Sequence, residues 1–299
     1  SAVKRVWLYI TGVTDHHKNA RPQSLERIPD TDVWQWQGEF SPQWRGSYCF
    51  IPSENTDDFA PDVFHGEQPD RLALREGWRK LLPQAMSDPL NAQSWRGGRG
   101  HDVSALEMPD APVQPGWDRP NTPYRQPVCI DWQSKRLGNR RRVWIFTTGD
   151  DDPERPLAVL LDGQFWAESM PVWPALTALT DGRKLPLAVY VLIDVIDMAH
   201  RNNELPCNPD FWLAVQEELL PLVKQHTSFS DRADRTVVAG QSFGGLSSLY
   251  AALNWPQRFG CVLSQSGSYW WPHRGGQQEG LLIAQLKAGE KTARGLRIV

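Results

Sequence analysis

Val237-Val238-Ala239-Gly240-Gln241-Ser242-Phe243-Gly244-Gly245, continued by Leu246-Ser247-Ser248-Leu249-Tyr250-Ala251-Ala252-Leu253, is the stretch whose reading decides the fold. It is a short apolar run ending in Gly-x-Ser-x-Gly, and the residues after it follow a helix-like pattern. Strand, sharp turn and helix is the setting in which this motif is a nucleophile elbow. The turn needs small residues on both sides of the serine. Gly240 and Gly244 supply them, because a Cβ at either would collide with the neighbouring strand or helix. The serine then stands at the helix N-terminus, where the dipole favours a developing oxyanion. The competing reading is a glycine-rich connection whose serine only caps the helix.

Working outward, Pro156-Leu157-Ala158-Val159-Leu160-Leu161-Asp162-Gly163 and Leu187-Ala188-Val189-Tyr190-Val191-Leu192-Ile193-Asp194 are continuous apolar runs. Such runs belong to parallel strands buried on both faces. The spacing predicts helices over 169–180, 209–224 and 280–289, with a strand and Gly-Ser turn over 259–268. Val128 to Gln133 and Arg142 to Thr147 read as a strand pair, and Arg140-Arg141-Arg142 as a solvated turn. Alternating strands and amphipathic helices predict a doubly wound α/β sheet of the α/β-hydrolase type.

The first part of the chain reads differently. Lys4 to Ile10, Asp32 to Phe40 and Gly46 to Pro52 alternate as short strands between turns, which predicts a small β-sandwich ending near residue 60. A helix is expected over 72–84, a turn at Asp88-Pro89-Leu90-Asn91 and a flexible loop at Gly97 to Gly100. Pro109, Pro112, Pro115, Pro120, Pro123 and Pro127 mark an extended linker. The expected domains are therefore 1–127 and 128–299.

The 299 residues are 40% hydrophobic and 22% charged, a globular composition with a substantial core. A net charge of −3 argues against a general nucleic-acid binder. Cys49, Cys129, Cys207 and Cys261 are scattered, with no metal-binding spacing, and fit a reducing cytoplasm as unpaired, buried thiols. No apolar run reaches the roughly 18 residues of a membrane helix, and no signal-peptide pattern opens the chain. The chain does not begin with Met, so an N-terminal segment is expected to be missing. Fifteen tryptophans are read first as core and sheet packing, and second as an aromatic surface for a flat ligand.

A serine needs a base to take its proton, and the acyl oxyanion needs two donors. The first expected donor is the N–H of Phe243. The second is the N–H of Gln164, in the Asp162-Gly163-Gln164 loop after the preceding strand. In this fold the acid and the histidine follow the serine. His273 is the single histidine after Ser242 and comes too early in the chain to be the usual base. Acid and base are therefore expected beyond Val299, with the second domain truncated at its C-terminal end.

Val238 to Leu246, Ser264-Gln265-Ser266-Gly267-Ser268-Tyr269-Trp270-Trp271 and Leu160-Leu161-Asp162-Gly163 resemble the enterochelin (enterobactin) esterases. Gly46-Ser47-Tyr48-Cys49-Phe50-Ile51-Pro52 and Asp88-Pro89-Leu90-Asn91 resemble the N-terminal domain of that family. The resemblance implies an N-terminal β-sandwich of immunoglobulin-like type, an α/β-hydrolase domain, and cytoplasmic hydrolysis of the esters of a ferric catecholate trilactone. It also implies a Gly-Gly-His-Asp stretch that supplies the histidine, which this sequence lacks. A ferric tris-catecholate is a trianion with flat arms. Arg201, His273 and Arg274 are the expected cationic contacts, Trp166, Tyr269, Trp270 and Trp271 the stacking ones, with Asp162 in the same site. No cofactor is expected, iron entering only with the substrate; no metal site, nucleic-acid partner or membrane insertion is expected, and oligomeric state is left open. Two rival readings remain: a serine hydrolase or acyltransferase on carbohydrate or phenolic esters, and a non-catalytic binding protein with a relic elbow.

Overall fold

The computed structural model describes residues 2–18, 20–60, 63, 70–96, 102–273 and 278–299. The loop expected at Gly97 to Gly100 lies outside them. The chain divides into two compact units, Ser1–Val113 and Gln114–Val299.

The first unit holds β1 (Arg5–Ile10), β2 (Gln23–Arg27), β3 (Trp34–Gln35), β4 (Arg45–Ser53), β5 (Ser94–Arg96) and β6 (Asp102–Glu107), and α1 (Arg71–Leu81). The strands form one antiparallel sheet in the order β3-β2-β1-β4-β6-β5. The period of two along β1 sends Trp7 and Tyr9 to one face and Val6, Leu8 and Ile10 to the other. The first face is closed by α1 through Leu74, Trp78 and Leu81. Asp70 fixes the start of α1 by accepting from the N–H groups of Leu72 and Ala73. Half-buried aromatics, Trp34, Trp36, Phe40 and Trp44 among them, pack on the second face. The strand expected over Asp32 to Phe40 shrinks to two residues. Past Gln35 the chain leaves the ladder: Trp36 folds its ring over Gly38 and donates Nε1 to Gln23 Oε1 at 2.7 Å.

The second unit holds β7 (Val128–Ser134), β8 (Asn139–Thr147), β9 (Leu157–Leu160), β10 (Val189–Ile193), β11 (Thr236–Gln241), β12 (Cys261–Gln265) and β13 (Arg297–Ile298). Their order is β13-β12-β11-β9-β10-β8-β7, antiparallel among β7, β8 and β10 and parallel elsewhere. With α2 (Trp173–Asp181), α3 (Met198–Glu204), α4 (Pro209–Ala214), α5 (Leu220–Lys224), α6 (Phe243–Asn254) and α7 (Leu281–Lys287), this mixed sheet is α/β-hydrolase-like. All five residues of β10 are buried, as its continuous apolar run predicts. The helix expected over 209–224 is interrupted by a π turn at Val215–Leu219, next to Pro221, which has no N–H to continue the ladder.

Two expectations are corrected. Arg140 to Arg142 is not a solvated turn but the first half of β8, so alternate side chains point opposite ways. Arg141 is buried against Glu204 with both carboxylate oxygens in reach, at 2.8 and 2.7 Å. The cysteines are free, but only Cys49 is buried and Cys129 is exposed. Among the described residues no helix is long and apolar enough to cross a membrane.

Candidate active site

Ser242 sits between the last residue of β11 and the first of α6, at φ 56 and ψ −117. A non-glycine residue there costs on the order of 1–3 kcal/mol and persists only where the surroundings hold it. They do so through the main chain. Ser242 N–H donates to Gln265 O at 3.0 Å, and Ser242 O accepts from Leu246 N–H at 3.0 Å and Ser268 N–H at 3.1 Å. The Ser242 side chain makes no capping bond to α6, which removes the helix-capping reading. Its Oγ lies 3.1 Å from Ser268 Oγ, and Ser268 is buried.

The crowding around the turn falls partly where expected. A Cβ at Gly240 would overlap the backbone of Gly244. At Gly244 it would meet only ordinary contacts, the nearest being Asp162 Oδ2 and Leu161 Cβ at 3.5 Å. The second tight position is Gly245, whose Cβ would come 2.6 Å from Ser264 Oγ and 3.0 Å from Gly267 Cα. Gly244 therefore matters as backbone packed under Gly240.

The two expected donors follow neighbouring strands, β11 and β9. Phe243 opens α6, so its N–H belongs to the first turn, which has no partner within the helix. Gln164 follows β9, which pairs in parallel with β11, so both turns leave the same edge of the sheet. Gly163 lets the loop pack closely on β10: a Cβ there would be 2.5 Å from Ile193 N. The Gln164 side chain is held in turn, its Oε1 accepting from Val195 N–H at 3.2 Å.

Asp162 and Arg201 meet each other. Arg201 Nε and Nη2 donate to Asp162 Oδ1 and Oδ2 at 2.7 and 2.9 Å, and Nη2 also reaches Gln241 O at 3.3 Å. The guanidinium lies 5.9 Å from the Phe243 ring centre. The charge expected to be open to a ligand is therefore committed to Asp162, and the pair braces the residues either side of Ser242. Of the three aromatics after β12, Tyr269 and Trp271 pack against the core, with Tyr269 Oη 2.5 Å from Ser264 Oγ. Trp270 is 36% exposed and its ring is 5.8 Å from that of Phe243. Trp166 is half-buried against another core cluster. His273 is exposed and donates its N–H to Trp270 O at 2.9 Å. Arg274 lies outside the described residues. Among the described residues no histidine nitrogen is bonded to Ser242 Oγ.

Ser268 is the site residue that sequence reasoning did not single out. Its signal was its place after Ser266-Gly267, where Ser266 takes φ 48 and turns the chain back to the elbow. For a metal, the described residues offer one group, Asp15, His16 and His17 in the first unit, with ligand atoms within 4.8 Å of one another. His17 is already bound to Asp15 through Nδ1 at 2.7 Å.

Two family models match the chain: "Enterochelin esterase, N-terminal" over residues 1–117 and "Putative esterase" over residues 134–298. The chain is 70% identical to the iron(III) enterobactin esterase of Escherichia coli strain K12, across 100% of this chain and 74% of that protein. The crystal structure of ferric enterobactin esterase from Salmonella typhimurium superposes with a TM-score of 0.95 at 70% identity, covering 100% of this chain and 75% of that one. A Shigella flexneri enterobactin esterase crystallised in the presence of enterobactin gives 0.88 at 70% identity, covering 100% and 74%.

Proposed function

The chain belongs to the iron(III) enterobactin esterase family, and from that premise we propose that Ser242 is the nucleophile with which it opens the ester bonds of a ferric catecholate trilactone. It is a carboxylic ester hydrolase acting on the iron-loaded siderophore. The observation that carries the assignment of Ser242 is its backbone: a serine at φ 56 on a strand-to-helix turn, with a hydroxyl that leaves the helix uncapped. Ser242 Oγ attacks an ester carbonyl as a general base takes its proton, the tetrahedral oxyanion is met by the N–H groups of Phe243 and Gln164, and its collapse breaks the C–O ester bond and expels the alcohol, which carries that proton away. Water then attacks the acyl carbon, the bond to Ser242 Oγ breaks, and the carboxylic acid leaves with the serine hydroxyl restored. Ser268 holds the resting hydroxyl at 3.1 Å. Trp270, exposed beside Phe243, offers a face for one flat catecholate arm. Iron is the cargo of the substrate in this reading, with no resident metal or cofactor, and the reaction is placed in the cytoplasm, where iron is to be released. The immunoglobulin-like reading of the first unit rests on its short antiparallel strands, with the aromatic layer standing in for a second sheet.

The test is Ser242→Ala, assayed on ferric enterobactin and on a simple aryl acetate. Loss of a nucleophile costs on the order of 10⁶ in kcat in a well-studied serine hydrolase. More than a tenth of the parent turnover in a folded variant would remove Ser242 from the mechanism. His273→Ala made alongside separates the base, and is expected to retain turnover.

A further inference from the structure

A cavity of about 280 Å³ opens in the first unit, and none of the residues of the proposed mechanism lines it. Trp34, Trp36, Phe40, Trp44, Tyr48 and Phe50 line it over the apolar face of β1. Phe40 and Trp44 are stacked at 4.3 Å, and Trp36 stands 6.2 Å from Phe40. The indoles lie flat because the residue two places on is glycine in both cases: a Cβ at Gly38 would enter the Trp36 ring, and one at Gly46 the Trp44 ring. Both family-like motifs of this unit meet at one point of the wall. Tyr48, from Gly46-Ser47-Tyr48, donates its hydroxyl to Asp88 Oδ2 at 2.7 Å, and Asn91 Nδ2 donates to the same hydroxyl at 3.2 Å. The Asp88 to Asn91 turn thus serves to fix a phenol at the edge of an aromatic box.

The chemistry of the lining selects the ligand. It contains no Lys, Arg or His, and its one charged group is Asp88. Burial and the neighbouring carboxylate raise the Tyr48 pKa, so Tyr48 stays neutral. An anion, including a ferric tris-catecholate, would face an unopposed carboxylate. A sugar carries hydroxyls around its whole rim, and here Gln35, Tyr48 and Asp88 are the polar side chains in a wall that is otherwise aromatic and aliphatic. A single aromatic ring fits: a cavity of roughly 150 Å³ accepts benzene. A carboxylate has about four acceptor positions, and Asp88 uses one for Tyr48 and one for Leu90 N–H. We infer that this cavity is a second binding site, for the neutral, iron-free form of a catechol or phenol ring, stacked on Trp36 beside the Phe40 and Trp44 pair and donating its hydroxyl to Asp88. The site uses none of the chemistry at Ser242, so its failure and the failure of the esterase reading are separate outcomes.

The test is ¹⁹F NMR of the protein carrying 5-fluorotryptophan, with Trp36 and Trp44 assigned through Trp36→Phe and Trp44→Phe. The probes are 2,3-dihydroxybenzamide, its dimethyl ether, methyl glucoside and a ferric tris-catechol complex. The dihydroxybenzamide should shift the Trp36 and Trp44 signals saturably, in Ser242→Ala as in the parent, and Asp88→Asn should weaken that binding about tenfold. The dimethyl ether, which has no hydroxyl to donate, should bind as weakly to the parent as the dihydroxybenzamide does to Asp88→Asn. The near-ultraviolet dichroism of Asp88→Asn checks that the unit is folded; if it is not, the dimethyl ether comparison on the parent decides. No saturable shift at 10 mM, a preference for the glucoside or the ferric complex, or equal binding of the dimethyl ether would overturn the assignment.

Discussion

Asp162→Ala should destabilise the second unit by about 2–3 kcal/mol, a value set by how much water the pair still sees. The Arg201 and Asp162 side chains are 13% and 18% exposed and joined by two bonds, at 2.7 and 2.9 Å. Exposed pairs are worth about 0–1 kcal/mol. Removing one partner of a buried pair costs about 3–5 kcal/mol, because a charge is left unpaired. This pair lies between, nearer the buried end, and Arg201 keeps a fallback in Gln241 O at 3.3 Å. For a unit of this size, 1 kcal/mol moves Tm by roughly 2–4 °C, so a fall of about 4–12 °C is expected. Calorimetry of Asp162→Ala, Arg201→Ala and the double variant closes the cycle, and the double should be milder than the sum by about 1 kcal/mol or more. Ligand binding gives a second reading with a definite sign. While Asp162 neutralises Arg201, the pair adds little attraction for a trianion. Asp162→Asn should therefore tighten binding of the ferric siderophore, and Arg201→Ala, which leaves the carboxylate alone, should weaken it. Single variants that shift Tm by under 2 °C and add independently would refute the clamp. They would return Arg201 to the role its sequence position first suggests, a direct contact to the anion.

Other tests follow from the packing. Gly240→Ala should lower kcat on the order of 10²-fold by pushing the Gly244 backbone and Ser242 out of register. Gly244→Ala, whose Cβ meets nothing closer than 3.5 Å, should stay within about threefold; equal loss in both would show that the crowding argument is wrong. Burial pushes the Cys49 and Cys207 thiols up to about 12, so a thiol reagent at pH 8 should leave both intact in the folded protein and take Cys129 first. Asp58 is partly buried, which by itself raises its pKa, but hydrogen bonds from Trp7 and Asn55 outweigh this and hold it below the usual carboxylate range. Its share of stability is present above the unfolded value near 3.9 and lost as pH falls through the lower folded value. Acid unfolding of Asp58→Asn should accordingly be less steep below pH 4; an unchanged profile would assign the acid sensitivity elsewhere.

The C-terminal fold was legible because its signals are local. Continuous apolar runs mark β9 and β10 as buried parallel strands. The Gly-x-Ser-x-Gly turn between an apolar run and a helical pattern places Ser242 without reference to anything distant. The charge run at Arg140 to Arg142 misled because three arginines in sequence look solvated, while the strand period puts Arg141 alone on the inner face. Its partner Glu204 lies on α3, and nothing in the local pattern of either residue announces the other.

The same distinction explains the site. Whether Arg201 is free depends on Asp162, a residue 39 positions away that arrives with β9 while Arg201 arrives with α3. Residue type predicts a cation near an anion; only the sheet order tells whether that anion belongs to the ligand or to the protein. The tryptophans show the reverse case, a local signal present but unread. Trp36-Gln37-Gly38 and Trp44-Arg45-Gly46 share one pattern, an indole followed two places on by a residue without a side chain. Trp7, in a strand buried on both faces, is followed two places on by Tyr9, and Trp144 by Phe146. A core tryptophan packs against its neighbours' side chains, while Trp36 lies on its own backbone and Trp44 is held between Gly46 and Phe40. That difference separates a surface built for a flat ligand from one built for the core, and it predicts that Gly38→Ala and Gly46→Ala should disturb the cavity of the first unit while leaving ester hydrolysis intact.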